Sequence, residues 1–122
     1  MKNLIFPILF IISAFTFAAS QTNAQSGKVF WRGMIDDKVQ LVIKSDTIQE
    51  HTLTGQSNPD GVFSFTSPLP EAQVNVNVNK NKGRGKVRVI QQPSAGNDFT
   101  AIVEIYDEGG GAREYQLEIF WK

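Results

Sequence analysis

A segment at residues 74–93 combines short amides with a run of cations. In its sequence, VNVNVNKNKGRGKVRVIQQP, valine alternates with asparagine before five lysine or arginine residues fall within nine positions. Because amides donate and accept hydrogen bonds while cations pair with carboxylate or phosphate, such a surface can bind sugar hydroxyls or anionic groups. The alternative is a solvated face whose charges deter edge-to-edge pairing of strands. Both interpretations stay open.

We predict that this segment forms a β-hairpin with a four-residue loop at 82–85. A three-residue loop would place Lys82 opposite Lys86, and like charges directly opposite each other are destabilising. The four-residue loop instead brings Val78 and Val89 together on the core face. The predicted binding face of the hairpin consists of Asn75, Asn77, Asn79, Asn81, Lys86 and Arg88.

Two aromatic residues near the C-terminal end are predicted beside carboxylates. Strand alternation places Tyr106 and Glu104 on one outward face with Phe120 and Glu118 across from them. A sugar ring can stack its apolar face on such a ring while its hydroxyls bond to the carboxylates. The alternative is an aromatic cross-strand pair that only stabilises the sheet.

Acidic residues recur in loops that we expect to meet at one end of the domain. If every connection reverses the chain direction, alternate loops lie at the same pole. Loop carboxylates are typical ligands of Ca²⁺, although an acidic residue beside glycine is also ordinary turn chemistry and no EF-hand spacing is present. The candidate calcium ligands are Asp36, Asp37, Asp60, Asp107 and Glu108. No other cofactor is expected.

Catalytic motifs are scarce in the sequence. His51 is the single histidine, cysteine is absent, and no serine lies in a G-x-S-x-G motif. A carboxylate pair for glycoside hydrolysis could be assembled from glutamates, but nothing in the sequence sets their separation. The sequence favours a protein that is not an enzyme, with a carboxylate-dependent or calcium-dependent enzyme as an alternative.

The elements that position these residues are predicted to be strands. Short β-favourable runs alternate with turn residues, and no stretch of a dozen residues has helical periodicity. The predicted strands are 28–35, 39–44, 48–54, 62–66, 73–80, 86–91, 99–106 and 114–121. This spacing is typical of an all-β fold, a single antiparallel β-sandwich of about eight strands, immunoglobulin-like or jelly-roll-like.

Alternation within the strands also predicts the core. The inward sets are Val39, Leu41 and Ile43; Ala101, Val103 and Ile105; and Tyr115, Leu117, Ile119 and Trp121. Phe30 and Trp31 point in opposite directions on the first strand, so one of these two rings should face away from the core.

The N-terminal residues have the pattern of an export signal. Lys2 precedes an apolar run, and Thr22-Asn23-Ala24 fits a signal-peptidase site. We therefore predict a cleaved signal peptide at 1–24 and a domain at 25–122, located in the periplasm or outside the cell and without a stable membrane anchor. Without Lys2, eleven cations face twelve anions. Neither this balance nor the lack of interleaved aromatic residues favours nucleic-acid binding.

Several segments resemble small exported bacterial proteins of an uncharacterised family. The similarity rests on Phe30-Trp31-Arg32-Gly33 with Asp36-Asp37, on Gln92-Pro93-Ser94 with residues 97–103, and on residues 110–112 with the strand 115–119. The resemblance implies a secreted β domain and carries over no functional residue.

Two functions from different classes remain open. The first is a binding module for a glycan or another polymer of the cell envelope or extracellular space. The second is an assembly subunit that adds strands to a protein partner through exposed edges and its apolar C-terminal strand.

Overall fold

The computed structural model describes residues 26–54 and 60–122, so the signal peptide predicted at 1–24 lies outside the described residues. All eight predicted strands are confirmed. They are β1 (Gly27–Ile35), β2 (Lys38–Lys44), β3 (Thr47–Thr54), β4 (Val62–Phe65), β5 (Val76–Lys82), β6 (Lys86–Gln91), β7 (Ala101–Tyr106) and β8 (Arg113–Trp121). Across the described ranges, no helix is long and apolar enough to cross a membrane.

The strands form two packed antiparallel sheets, which confirms the β-sandwich. The first sheet has the strand order β4-β1-β8-β5, and the second has the order β3-β2-β7-β6. The central pairs, β1 with β8 and β2 with β7, join elements that are distant in the sequence. The sandwich is therefore held together mainly by long-range pairing.

The core between the sheets has the predicted composition. Val39, Leu41 and Ile43 of β2 are at most 1% exposed, and the inward residues of β7 and β8 are equally buried. Of the two adjacent rings in β1, Trp31 is 1% exposed and Phe30 is 44% exposed. Phe30 is thus the ring that faces away from the core.

Every strand pair within the two sheets is antiparallel. The loops after β1, β5 and β7 meet at one end of the sandwich, where two contacts join them. The backbone N–H of Asp107 donates to the carbonyl oxygen of Asp37 over 2.7 Å, and Arg84 forms an ion pair with Asp107.

The predicted hairpin at residues 74–93 is wrong. β5 pairs with β8 in the first sheet, whereas β6 pairs with β7 in the second sheet. The 82–85 segment therefore crosses from one sheet to the other. No cross-strand pair joins Val78 to Val89; Val78 faces Ile119 and Val89 faces Val103.

Candidate functional site

The two strands of the 74–93 segment pair with other strands, β5 with β8 and β6 with β7, and not with each other. In the first sheet, Val76 lies opposite Trp121 and Val78 opposite Ile119, so apolar side chains meet on the core face. In the second sheet, Arg88 lies opposite Glu104, and its Nη2 is 3.2 Å from the carboxylate Oε1. A hairpin would have replaced this opposite-charge pair with an amide opposite a cation.

The predicted binding face is consequently divided between the two outer faces of the sandwich. Asn75, Asn77 and Asn79 are exposed on the first sheet, whereas Lys86 and Arg88 are exposed on the second. The predicted aromatic face with Tyr106 and Phe120 is divided in the same way. β7 and β8 belong to different sheets, so Tyr106 does not share a surface with Phe120.

The outer face of the first sheet carries two aromatic rings among polar side chains. Phe30 lies opposite Glu118, and the half-buried Phe120 lies opposite Lys28. The two rings are thus diagonal neighbours on one sheet surface, with Cα atoms about 7–8 Å apart. The first-sheet face is the surface formed by Lys28, Phe30, Arg32, Val62, Ser64, Asn77, Asn79, Asn81, Gln116, Glu118 and Phe120.

Lys28 links the aromatic and acidic groups of the first-sheet face. Its Nζ lies 5.2 Å from the centre of the Phe30 ring and 3.7 Å from Oε1 of Glu118. The Lys28 side chain remains 43% exposed. An ammonium over an exposed ring is held by only about 0.5–1 kcal/mol, so a ligand that stacks on Phe30 can displace it at modest cost.

Two shallow depressions lie on this face. One, of about 370 Å³, is bordered by Phe30, Arg32, Val62, Ser64, Asn81 and Gln116. The other, of about 600 Å³, is bordered by Lys28, Thr66, Glu118 and Phe120 among others. One depression lies on the Phe30 side and one on the Phe120 side, so the face is an extended, uneven surface and not a closed cleft.

A β-bulge in β5 shapes the first depression. Lys80 lies opposite Leu117 and Lys82 opposite Gln116, which leaves Asn81 as the extra residue. The shift places Lys82 on the outer face, where its Nζ lies 2.9 Å from Oε1 of Glu114. The hydrogen bond from Lys82 lowers the pKa of the Glu114 carboxyl. Asn81, predicted as a binding residue, thereby borders the depression.

The end of the sandwich where the loops after β1, β5 and β7 meet contains a buried carboxylate with three hydrogen-bond donors around it. Asp107 is 0% exposed. Its Oδ2 accepts a hydrogen bond of 2.7 Å from the Tyr115 hydroxyl, and its Oδ1 accepts from Arg84 and from the Gly109 N–H. Burial alone would raise the pKa of Asp107, but the hydrogen bonds from Arg84 and Tyr115 outweigh it and lower the pKa.

Tyr115 is bound on both sides within this network. Its hydroxyl also accepts a hydrogen bond of 2.7 Å from the Gly85 N–H. Burial and the hydrogen bond to Asp107 raise the pKa of Tyr115 to about 12. The network joins β8, the 82–85 crossing and the loop after β7, so its role is to hold these three segments together at this end of the sandwich.

The five carboxylates predicted to bind calcium do not form a metal-binding cluster. Within residues 26–54 and 60–122, no group of three or more His, Cys, Asp or Glu side chains is arranged to hold a metal ion. Asp107 is neutralised by Arg84, while Asp60 and Glu108 are exposed. The oxygen atoms of Asp107 that a cation would need are already hydrogen-bonded.

Sequence reasoning missed several members of the first-sheet face. Arg32 and Gln116 are opposite one another across β1 and β8, and Val62, 66% exposed, extends the surface onto β4. Alternation in β1 gives the direction of Arg32 once Trp31 is known to be buried. The position of Arg32 between β4 and β8 depends on the order of strands in the sheet, and alternation along one strand does not predict that order.

No family model, curated protein or solved structure matches the chain.

Proposed function

We propose that this protein is an exported, non-catalytic binding module whose ligand is a glycan, held on the first-sheet face. The observation that carries the proposal is the placement of Phe30 and Phe120 as diagonal neighbours around Glu118 and Lys28. Ring, carboxylate and ammonium groups therefore lie within reach of one bound sugar chain.

The chemistry of this face suits a polyhydroxyl ligand. Phe30 offers an apolar ring for stacking, and the exposed amides of Asn77 and Asn79 donate and accept hydrogen bonds. Glu118 accepts hydrogen bonds from hydroxyl groups. The open form of the two depressions suits a polymer better than a small molecule, which usually needs a more enclosed pocket.

The proposed location is the periplasm or the extracellular space. Its support is the apolar segment and small-residue pattern at 1–24. A binding domain in that location meets the glycans of the envelope and of neighbouring cells.

The test is a binding assay against soluble neutral polysaccharides, with the change in affinity measured by calorimetry or NMR titration. Phe30→Ala should weaken binding about tenfold, equivalent to about 1.4 kcal/mol. The matched control is Tyr106→Ala, which removes an aromatic ring of equal exposure, 44%, from the opposite face. A loss with Tyr106→Ala and none with Phe30→Ala would refute the assignment of the face.

A second candidate function is assembly through the outer edge of β3, the last strand of the second sheet in the part of the chain that the structure describes. The other three edges of the sandwich are protected: β4 has four residues, while β5 and β6 carry lysine or arginine and a bulge. β3 has eight residues without lysine, arginine or proline, and its bulge is confined to its C-terminal end. The C-terminal strand β8, which we expected to serve this role, is central in its sheet and has no free edge.

Light scattering over a range of protein concentrations tests this second candidate. Association through β3 predicts a mass that rises with concentration and falls back to the monomer in Gln49→Lys, because a lysine on an exposed edge opposes pairing. The control is Gln73→Lys, at an exposed position outside the strands. A strict monomer at millimolar concentration would eliminate strand-edge assembly by identical copies.

A further inference from the structure

The outer face of the second sheet has a different chemistry from the first. Tyr106 is 44% exposed and lies directly opposite Lys38 of β2 on one side and Lys86 of β6 on the other. Tyr106 therefore lies between two lysine residues in a single row across three strands. The backbones of the two lysines are two strand spacings, about 9–10 Å, apart.

In the neighbouring row of residues, one carboxylate offsets part of this positive charge. Glu104 is 7% exposed, and its carboxylate lies 3.2 Å from Arg88 and 3.7 Å from Lys38. Gln40 adds a hydrogen bond of 3.5 Å. One covered carboxylate thus has two cationic partners, of which Arg88 keeps 72% of its side chain exposed.

Lys86 differs from Lys38 and Arg88, which pair with Glu104. Among the residues that the structure describes, Lys86 forms no ion pair. With Lys38, Arg88 and Glu104 it leaves an excess of two positive charges on this face, although the whole chain has a formal net charge of zero. A local excess on a neutral protein is a directed feature of the surface and not a by-product of a basic composition.

We infer that this second-sheet face, formed by Lys38, Lys86, Arg88 and Tyr106, is a separate binding surface for an acidic polysaccharide. The sugar ring stacks on Tyr106 while carboxylates on the same or adjacent rings pair with the flanking cations. The inference goes beyond the proposed function, because it concerns the opposite side of the sandwich and a ligand of different charge.

Other anionic polymers fit the surface less well. Single-stranded nucleic acid uses successive aromatic platforms, and this face has one ring. Anionic membranes attract clusters of four to eight cations, and this face has three. A polyuronate, with one carboxylate on each ring, needs only an aromatic ring with cations on both sides.

The experiment compares binding of the protein to alginate and to neutral dextran at low and high salt. Lys86→Glu should weaken alginate binding at least tenfold and should leave dextran binding, where present, unchanged. The control Arg113→Glu makes the same change in net charge at an exposed position of β8. Raising the salt should reduce alginate affinity because exposed charges are screened.

Tyr106→Phe and Tyr106→Ala distinguish a built site from charge attraction alone. Stacking predicts that Phe retains alginate affinity and Ala loses it, with no change in net charge. Equal losses in Lys86→Glu and Arg113→Glu, or no loss in Tyr106→Ala, would overturn the inference. Its failure would leave the Phe30→Ala result on neutral glycans unaffected, so the two proposals are tested separately.

Discussion

Buried polar residues in this protein form hydrogen bonds that link segments far apart in the sequence. Asp107 is the clearest example, since its carboxylate binds Arg84 from the 82–85 crossing and Tyr115 from β8. In the sequence, an acidic side chain beside glycines fitted either a calcium ligand or an ordinary turn, and only the packed structure shows its partners. A lone buried charge is costly, so removing one member of the network leaves the others unsatisfied.

Asp107 should make stability depend on acid pH. Its folded-state pKa lies below the ordinary value of 3.8, so it stabilises the fold above that pH and this contribution is lost as the pH falls through the folded pKa. We expect Asp107→Asn to lower the free energy of unfolding at pH 7 by about 2 kcal/mol, and to flatten the decline in stability below pH 4. Urea unfolding between pH 2.5 and 7 measures both effects.

The matched control for this prediction is Asp98→Asn. Asp98 also pairs with a cation, Lys44, but both side chains are exposed, and exposed pairs contribute little. An equal loss of stability in the two variants would show that burial of Asp107 is not the source of the effect.

At the scale of elements, the edges and crossings of the strands decide the architecture. Gln92 illustrates how an edge is completed: its side-chain amide accepts from the Val76 N–H over 2.7 Å and donates to the Val76 carbonyl over 2.9 Å. A residue that follows β6 in the second sheet therefore takes the place of a strand partner for β5 in the first. This link closes one side of the sandwich.

Replacing Gln92 should loosen this side of the sandwich. Gln92→Glu keeps an acceptor but loses the donor, and we expect the free energy of unfolding to fall by about 1 kcal/mol, with a larger loss for Gln92→Ala. Hydrogen exchange at the Val76 N–H should accelerate in both variants. Gln73→Ala, at an exposed site before β5, should change neither quantity.

The crossing between β5 and β6 depends on a glycine. Gly83 has a φ of 145°, and a Cβ there would lie 2.3 Å from Cδ2 of Tyr115. Gly109 has a φ of 91° but no heavy atom within 4 Å of that position. Both alanine variants carry backbone strain, so Gly83→Ala should be less stable than Gly109→Ala by the cost of overpacking, about 1–3 kcal/mol. Equal midpoints in thermal unfolding would contradict this packing.

At the scale of the whole molecule, local patterns predicted the strands and their inward faces but not the partners. Alternation in β2, β7 and β8 depends only on neighbours in the sequence, and the buried residues agree with it. Partner choice is long-range: Asn79 opposite Arg88 is locally acceptable, as is Asn79 opposite Glu118, and the structure adopts the second. The misassigned hairpin had merged two surfaces that the fold places on opposite sides.

The central claim is that residues 74–93 are divided between opposite faces of the sandwich, and introduced cysteines test it most directly. The chain has no cysteine of its own, and directly opposite residues of an antiparallel pair have a Cα separation that a disulfide can bridge. Mild oxidation should form a disulfide in Asn79→Cys/Glu118→Cys and none in Asn79→Cys/Arg88→Cys, as read by mass spectrometry of the denatured protein. A disulfide in the second pair and not the first would restore the hairpin and contradict both proposed surfaces.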